Sequence, residues 1–150
     1  LKRYPSEFQW LKDQQLAGAL RIVWINHSAN HPYDSGAPLE DNFLLMKGVD
    51  FEEEVLGNEK TLIEAGVTPS VFFRFPGLVS SEELIHRLGD WGLIALGSEA
   101  WLAKDEDPQA NSIILIHGNK NEPAGETKFF NFVETKSADL AWASIYEIFQ

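Results

Sequence analysis

The chain has 150 residues, and its 12 Lys and Arg against 23 Asp and Glu give a formal net charge of −11 at neutral pH. This length and a hydrophobic content of 44% predict one globular domain, residues 1–150, rather than a disordered chain. The acidity and the scattered basic residues argue against a nucleic-acid or anionic-membrane partner. No apolar stretch has the length of a membrane span. Because cysteine is absent, a metal would need His, Asp or Glu ligands.

Helices and strands are predicted to alternate along the first half of the chain. Ser6 and Gln9 have capping-box spacing at the start of a first helix. Residues 21–26 are rich in β-branched and aromatic types and predict a strand. A second helix is predicted over 50–65, and a second strand follows at 71–75.

The second half continues the same alternation. Ser80 and Glu83 are predicted to cap a short helix. Apolar runs at 93–96 and 112–116 predict two more strands, and 137–149 is predicted to close the chain as an amphipathic helix. Alternating strands and helices favour parallel pairing, hence an α/β fold with an open sheet or a barrel. Active residues then lie just past the C-terminal ends of the strands.

Two histidines follow the first predicted strand. His27 and His31 lie four residues apart on a polar loop, and neutral imidazoles suit Zn²⁺ or a similar divalent ion. Two ligands do not complete a site, so an additional carboxylate is expected. Pro32 and the lack of an intervening Glu exclude the helical zinc-protease motif. The alternative is a loop with two solvated or backbone-bonded histidines.

Two further polar residues follow predicted strands. Arg74 lies at the end of the second strand, where its guanidinium would orient a carboxylate, and the alternative is a surface arginine. His117 follows the last strand, at a position suited to general acid or base catalysis, and the alternative is a structural histidine. No G-x-S-x-G sequence follows His117, which argues against an α/β-hydrolase.

Taken in order, these motifs resemble those of the polysaccharide deacetylase family, the NodB-homology group of carbohydrate esterases. The sequence HSANHP at 27–32 resembles the family's metal-binding motif. The sequence FRFPG at 73–77 is similar to its third motif, and LIH at 115–117 resembles its closing motif. The order, the spacing and the predicted elements agree with the family over about residues 5–120.

The resemblance implies a distorted, incomplete (β/α) barrel and a metal-dependent hydrolase that removes N-acetyl or similar acyl groups from a polysaccharide or amino sugar. Zinc is the expected metal. His27 and His31 would bind it, Arg74 would orient the catalytic base, and His117 would protonate the departing amine. The expected substrate-contacting residues are Leu115, at the acetyl methyl group, together with Trp101, Phe75 and Pro76.

Two departures from the family pattern affect these expectations. The family's Asp-Asp pair, which supplies the base and a third metal ligand, does not precede the first predicted helix. We therefore expect residues 1–150 to lack an N-terminal strand that carries this pair. Gly97 and Ala100 stand where the family often has carboxylates that support the acid histidine. His117 is then tuned by another group, or the substrate differs.

Two other functions are consistent with the same residues. One is a catalytically impaired carbohydrate-binding relative of the deacetylases, which keeps the groove without the base. The other is a metal-binding or interaction protein unrelated to sugars. A glycan substrate favours the cell envelope or the exterior, and the sequence makes no prediction of oligomeric state.

Overall fold

The computed structural model describes residues 4–136 and 141–147. The chain divides into two compact units, Leu1–Gly97 (unit 1) and Ser98–Gln150 (unit 2). The expectation of a single domain remains a prediction. Among the described helices, none combines the length and the apolar character needed to cross a lipid bilayer.

Unit 1 is a three-stranded parallel sheet with helices between its strands. The strand order is β1-β2-β3, and both strand pairs are parallel, as the alternation of elements predicted. The helices and strands, in chain order, are α1 (Pro5–Leu16), β1 (Trp24–Asn26), α2 (Phe51–Glu64), β2 (Pro69–Phe73), α3 (Glu82–Asp90) and β3 (Ile94–Ala95).

Helix α2 begins and ends where the sequence predicted. The Asp50 side chain accepts a hydrogen bond from the Glu53 backbone N–H, which satisfies one free donor of the first turn. Gly66 follows the helix with φ of +80°, a conformation that glycine adopts without strain. The core of unit 1 combines residues of α2, β2, α3 and adjoining loops: Leu44, Phe51, Val55, Phe73, Phe75, Leu84 and Leu88.

Several predicted boundaries in unit 1 are wrong. Strand β2 spans Pro69–Phe73 rather than 71–75, and β3 spans Ile94–Ala95 rather than 93–96. Helix α1 has no capping box at Ser6, because it begins at Pro5, whose missing N–H suits the first helical position. The Ser6 hydroxyl donates to the Glu7 carboxylate instead. Helix α3 is capped by Ser81 rather than Ser80, and β1 keeps only the last three residues of the predicted strand 21–26.

The described residues of unit 2 contain a parallel pair of short strands and one α-helix. Strands β4 (Ala100–Trp101) and β5 (Ile114–Leu115) are paired, and α4 (Pro123–Lys136) follows. No helix was predicted over 123–136, where α4 lies. Pro is tolerated in the first turn of a helix, and Gly125 packs so closely that a Cβ there would lie 3.3 Å from the Ala103 Cβ.

The predicted closing helix, 137–149, falls partly outside the described residues, at 137–140 and 148–150. Between those gaps the described chain contains the 3-10 turn Ile145–Glu147.

The fold class is mixed α/β with small parallel sheets. In residues 4–136 and 141–147, the strands form an open three-stranded sheet and a two-stranded sheet, and they do not close a barrel.

Candidate functional site

The two histidines of the predicted metal motif lie together in unit 1, just past the end of β1. Their ring centroids are 5.1 Å apart, with 69° between the ring planes. The His27 Nδ1–H donates to the Arg74 backbone carbonyl at 2.8 Å. That bond fixes the tautomer of the neutral imidazole, which therefore carries its lone pair on Nε2. His31 has φ of +50°, and its backbone N–H donates to the Ser28 hydroxyl at 3.1 Å.

A buried amide, Asn26, anchors the start of this loop to α2. Asn26 is fully buried, and its Nδ2 donates to the Val55 carbonyl at 2.8 Å and to the Glu59 carboxylate at 2.6 Å. Its Oδ1 accepts from the Asn58 amide at 2.6 Å and from the Ser28 backbone N–H at 3.0 Å. Every hydrogen-bonding position of this amide group is satisfied, as burial requires.

Glu54 provides a second anchor between the loop and α2. This carboxylate is buried, and its two oxygens accept from the Asn30 side-chain amide at 2.7 Å and the Asn30 backbone N–H at 2.9 Å. The Glu54 backbone carbonyl accepts from the Ala29 N–H at 2.9 Å. The residues between the two histidines are therefore fixed by α2 as well as by their own turn.

The charge state of Glu59 reflects this environment. Burial raises the pKa of the Glu59 carboxyl above its ordinary value, against the opposing effect of the hydrogen bond from Asn26.

Arg74 joins β1, the histidine loop and the end of β3 through polar contacts. Its backbone N–H donates to the Asn26 carbonyl at 2.8 Å, and its own carbonyl accepts from His27. The guanidinium Nη2 donates to the Gly97 carbonyl at 2.9 Å. Its predicted role beside a catalytic base remains a prediction, and the structure adds that its backbone orients His27.

The turn after Arg74 is shaped by an aromatic contact with Phe43. Gly77 has φ of +63°, and a Cβ on this residue would lie 2.3 Å from Cε2 of the Phe43 ring. Only glycine fits this position without displacing the ring. Phe43 is buried and meets the His31 ring edge-on, with centroids 5.5 Å apart. Gly77 therefore lets Phe43 pack behind the histidine pair.

The donor chemistry at His27 and His31 fits a zinc-like ion. An imidazole whose Nδ1–H is held by a backbone carbonyl is the usual form of a metal-binding histidine, and His27 has this arrangement. Across the described part of the chain, no cluster of three or more His, Cys, Asp or Glu side chains has a metal-binding arrangement. The pair thus supplies two donors, and the carboxylate donor expected from the sequence remains a prediction.

Unit 2 holds His117 through a carboxylate that the sequence analysis did not identify. The His117 Nδ1–H donates to Glu122 Oε2 at 2.7 Å, and the Trp101 indole N–H donates to the same oxygen at 2.7 Å. The Lys104 ammonium lies over the Trp101 ring, 3.6 Å from its centroid. His117 and Glu122 are each about a quarter exposed. A carboxylate on Nδ1 fixes the imidazole tautomer and orients Nε2.

Glu122 stays ionised more readily than an ordinary glutamate. Burial acts to raise the pKa of its carboxyl, but hydrogen bonds from Trp101 and His117 and the positive charges of His117 and Lys104 outweigh it. The net result is a lowered pKa. At neutral pH the Glu122 carboxylate is therefore an anion beside His117.

The residues predicted to contact substrate lie in different surroundings. Leu115 is buried in β5, and the Trp101 side chain is half-buried beside Glu122. Phe75 belongs to the core of unit 1, with its ring parallel to that of Phe51 at 6.2 Å, and Pro76 is buried next to it. Their substrate contacts remain predictions.

Glu122 is the functional candidate that the sequence analysis missed. A carboxylate for His117 was sought at Gly97 and Ala100, where the resemblance places it, and neither residue has one. The sequence nonetheless contained a local indication. Glu122 follows His117 by five residues and lies at the start of a helix, and a short turn between the two residues brings their side chains into contact.

Comparison with solved structures supports the fold class. The chain is similar to a family 4 carbohydrate esterase from Streptomyces lividans, solved in complex with acetate, with a TM-score of 0.59 and 16% sequence identity. The likeness covers 91% of this chain and 68% of that one. At this identity the likeness shows a shared fold. No protein-family profile matches the chain.

Proposed function

We propose that this chain is a metal-dependent hydrolase that removes N-acetyl or similar acyl groups from a polysaccharide or an amino sugar. The observation that carries the proposal is the His27–His31 pair, with His27 oriented by the Arg74 carbonyl in a fold like that of a carbohydrate esterase. The scaffold that we propose is the distorted, incomplete (β/α) barrel implied by the family resemblance. The reaction is hydrolysis of a C–N amide bond, and the products are acetate and a free amine.

His27 and His31 would hold the metal, and zinc is the ion that we propose. A bound divalent ion of this kind polarises the acyl carbonyl and lowers the pKa of a water molecule. The protein contributes the orientation of both rings. The Arg74 carbonyl fixes the His27 tautomer, and Asn26 and Glu54 fix the backbone between the two histidines.

His117 is the proposed general acid. Its Nδ1–H is bound to Glu122, so Nε2 is the atom that would deliver a proton to the leaving nitrogen. The Glu122 anion stabilises the protonated imidazole, as a carboxylate does in other carboxylate–histidine pairs. Glu122 would thus take the supporting role that the family gives to carboxylates at the positions of Gly97 and Ala100.

The remaining predicted residues would shape the substrate site. Leu115 would contact the acetyl methyl group, and Trp101 would line the substrate groove. Phe75 and Pro76 would support the turn that follows Arg74. Arg74 would orient the catalytic base.

Zinc binding provides the first test. The metal-free chain is titrated with zinc by calorimetry, alongside the variants His27→Ala, His31→Ala and His86→Ala. His86 is an exposed histidine on α3 and makes a matched control. We expect zinc binding in the wild type and the control, and its loss in the other two variants. Absence of binding at saturating zinc, or an equal loss in His86→Ala, contradicts the metal assignment.

Acetate release provides the second test. The zinc-loaded complete protein is incubated with a β-1,4-linked N-acetylglucosamine tetramer, and acetate is quantified. We expect His117→Ala to lower kcat/KM by about 10²–10⁴-fold while its zinc affinity is unchanged. Unchanged acetate release excludes His117 as the acid. Binding of the tetramer without acetate release in the zinc-loaded wild type instead identifies a non-catalytic carbohydrate-binding protein.

A further inference from the structure

An exposed tyrosine outside the proposed catalytic set lies next to the histidine pair. Tyr33 is 63% exposed, and its ring centroid is 5.4 Å from that of buried Phe43, with 36° between the planes. Phe43 in turn meets the His31 ring at 5.5 Å. One intervening ring thus separates Tyr33 from the proposed metal-binding residues.

The segment after Tyr33 is held in shape by Asn42, a nearly fully buried residue. Its Oδ1 accepts from the backbone N–H groups of Asp34 and Phe43, at 3.0 and 2.8 Å. Its Nδ2 donates to the carbonyls of Asp34 and Ala37, at 2.6 and 3.3 Å. These bonds close the loop between Tyr33 and Phe43. Because the loop is ordered in advance, a ligand that stacks on Tyr33 loses little affinity to ordering it.

Phe43, which supports the Tyr33 ring, adopts an unfavourable backbone conformation. Its φ is +55°, in the left-handed region that non-glycine residues rarely occupy. The contact with Gly77 and the burial of the ring keep it there. Strain of this kind concentrates at binding sites and active sites. The exposed Tyr33 ring, which packs against the strained residue Phe43, is therefore a candidate binding surface.

We propose that Tyr33 is a sugar-binding residue, whose exposed ring stacks on the pyranose next to the one that loses its acyl group. This inference rests on the proposed function and specifies its substrate as a glycan of at least two residues. A pyranose has a face of C–H bonds, which the electron-rich face of an aromatic ring attracts, and a rim of hydroxyls that the phenol O–H can bind.

The charge around Tyr33 restricts the glycan further. Segment 34–41 contains Asp34, Glu40 and Asp41 and no Lys or Arg, and the whole chain carries a net charge of −11. A negative field of this kind repels an anionic polymer such as a polyuronic acid. The ligand that this surface fits is a neutral N-acetylated oligosaccharide, or one made cationic by partial deacetylation.

The test compares substrates of two lengths with the zinc-loaded full chain. Acetate release is measured on N-acetylglucosamine and on its β-1,4-linked tetramer for the wild type, Tyr33→Ala, Tyr33→Phe and Trp10→Ala. Trp10 is an exposed aromatic residue of α1 without an assigned role, so it controls for loss of a surface ring. We expect Tyr33→Ala to raise KM for the tetramer about tenfold, the value of one aromatic contact. The monomer kinetics and the Trp10 variant are expected to match the wild type.

The Tyr33→Phe variant separates the ring from its hydroxyl. It keeps the stacking face, so we expect its tetramer KM to lie within about threefold of the wild type. A tetramer KM that is unchanged in Tyr33→Ala overturns the subsite and leaves the proposed deacetylase activity intact. An equal loss on monomer and tetramer also overturns it, because the residue then acts at the reacting sugar or on the fold.

Direct binding distinguishes failure of the subsite from failure of the proposed function. Tetramer affinity of the wild type and Tyr33→Ala is measured by calorimetry, with a galacturonic acid tetramer as the anionic comparison. If the wild type releases no acetate with zinc, the proposed activity fails, while an affinity that falls in Tyr33→Ala still supports the sugar-binding surface. Equal affinity in both proteins, or tighter binding of the anionic tetramer, overturns the inference.

Discussion

Two regions of this chain hold a histidine by different means. In unit 1, hydrogen bonds connect His27 and the residues up to His31 to α2 and to Arg74. The bonded residues lie 24 to 47 positions apart in the sequence, and Ser28 and Glu54 are buried. In unit 2, His117 is bound to Glu122 only five positions later, and both side chains are partly exposed.

This difference predicts that substitutions in unit 1 mainly affect stability, whereas substitutions in unit 2 mainly affect activity. Buried polar groups are costly to leave unsatisfied. Substitutions of the buried residues that anchor the histidine loop to α2 are therefore expected to lower stability and metal affinity together. A partly exposed pair contributes little to stability, so changes at Glu122 are expected to affect activity alone. Four substitutions test this contrast.

The largest effect is expected at Asn26. Asn26→Ala removes four hydrogen bonds and leaves the buried Ser28 N–H without its acceptor. We expect the free energy of unfolding to fall by about 3 kcal/mol, and zinc affinity to fall with it. Urea denaturation and zinc calorimetry measure the two effects. Asn131→Ala removes an exposed amide of α4 as the control, and if it costs as much, the buried network is not what stabilises the loop.

The second largest effect is expected at Gly77. Gly77→Ala places a Cβ within the Phe43 ring and forces alanine into a left-handed conformation. The free energy of unfolding is expected to fall by about 2–3 kcal/mol. Gly89→Ala is the matched control, because Gly89 lies in α3 with nothing near its Cβ position. That change should stabilise the chain, since alanine is the better helix former. A neutral Gly77→Ala would show that Phe43 moves aside at little cost.

A smaller effect, confined to activity, is expected at Glu122. Glu122→Gln keeps the side-chain shape and removes the anion beside His117, so kcat is expected to fall about tenfold with the free energy of unfolding unchanged to about 0.5 kcal/mol. Glu134→Gln makes the same charge change at an exposed position of α4. Equal kcat values in the two variants would exclude Glu122 as the residue that orients His117.

The pH dependence of this effect follows from the lowered pKa of Glu122. The carboxylate is anionic above its pKa and is neutralised only as the pH falls through it. The ratio of wild-type to Glu122→Gln activity should therefore stay constant through the ordinary carboxylate range and approach one only at lower pH. A ratio that falls already within the ordinary range contradicts this account.

The smallest effect is expected at Glu59, whose raised pKa means that the fold favours the neutral carboxyl. Its stabilising contribution is present below the unfolded pKa and is lost as the pH rises through the folded pKa. Glu59→Gln, which keeps an oxygen for Asn26, is expected to stabilise the chain by about 0.5 kcal/mol at pH 7. The gain should vanish in acid, as measured by urea denaturation at both pH values. Glu64→Gln, at an exposed position of α2, should give no such gain at pH 7.

The sequence predicted the elements that local chemistry defines. Asp50 and Gly66 delimit α2 because a cap and a left-handed stop each act within one turn. The histidine pair was found because polar residues follow a β-rich strand. Helix α4 was not predicted, because Pro123 and Gly125 are poor helix formers, although proline suits a first turn and the glycine allows close packing on Ala103.

The residues that hold the histidines in place could not be predicted from the sequence, for a different reason. The partners of Asn26 lie on α2, and nothing in the local pattern of α2 shows which of its polar residues faces the strand end. Glu122 was missed although it is close in sequence to His117, because the family resemblance places the supporting carboxylates at positions 97 and 100.

The bond between Trp101 and Glu122 also makes this region accessible to fluorescence. The indole N–H of Trp101 donates to the same oxygen that His117 contacts. Indole emission responds to nearby charge, so a change in protonation of the carboxylate–histidine pair shifts the emission wavelength. A chain that keeps Trp101 as its one tryptophan would report the ionisation of its proposed general acid without any added label or substrate.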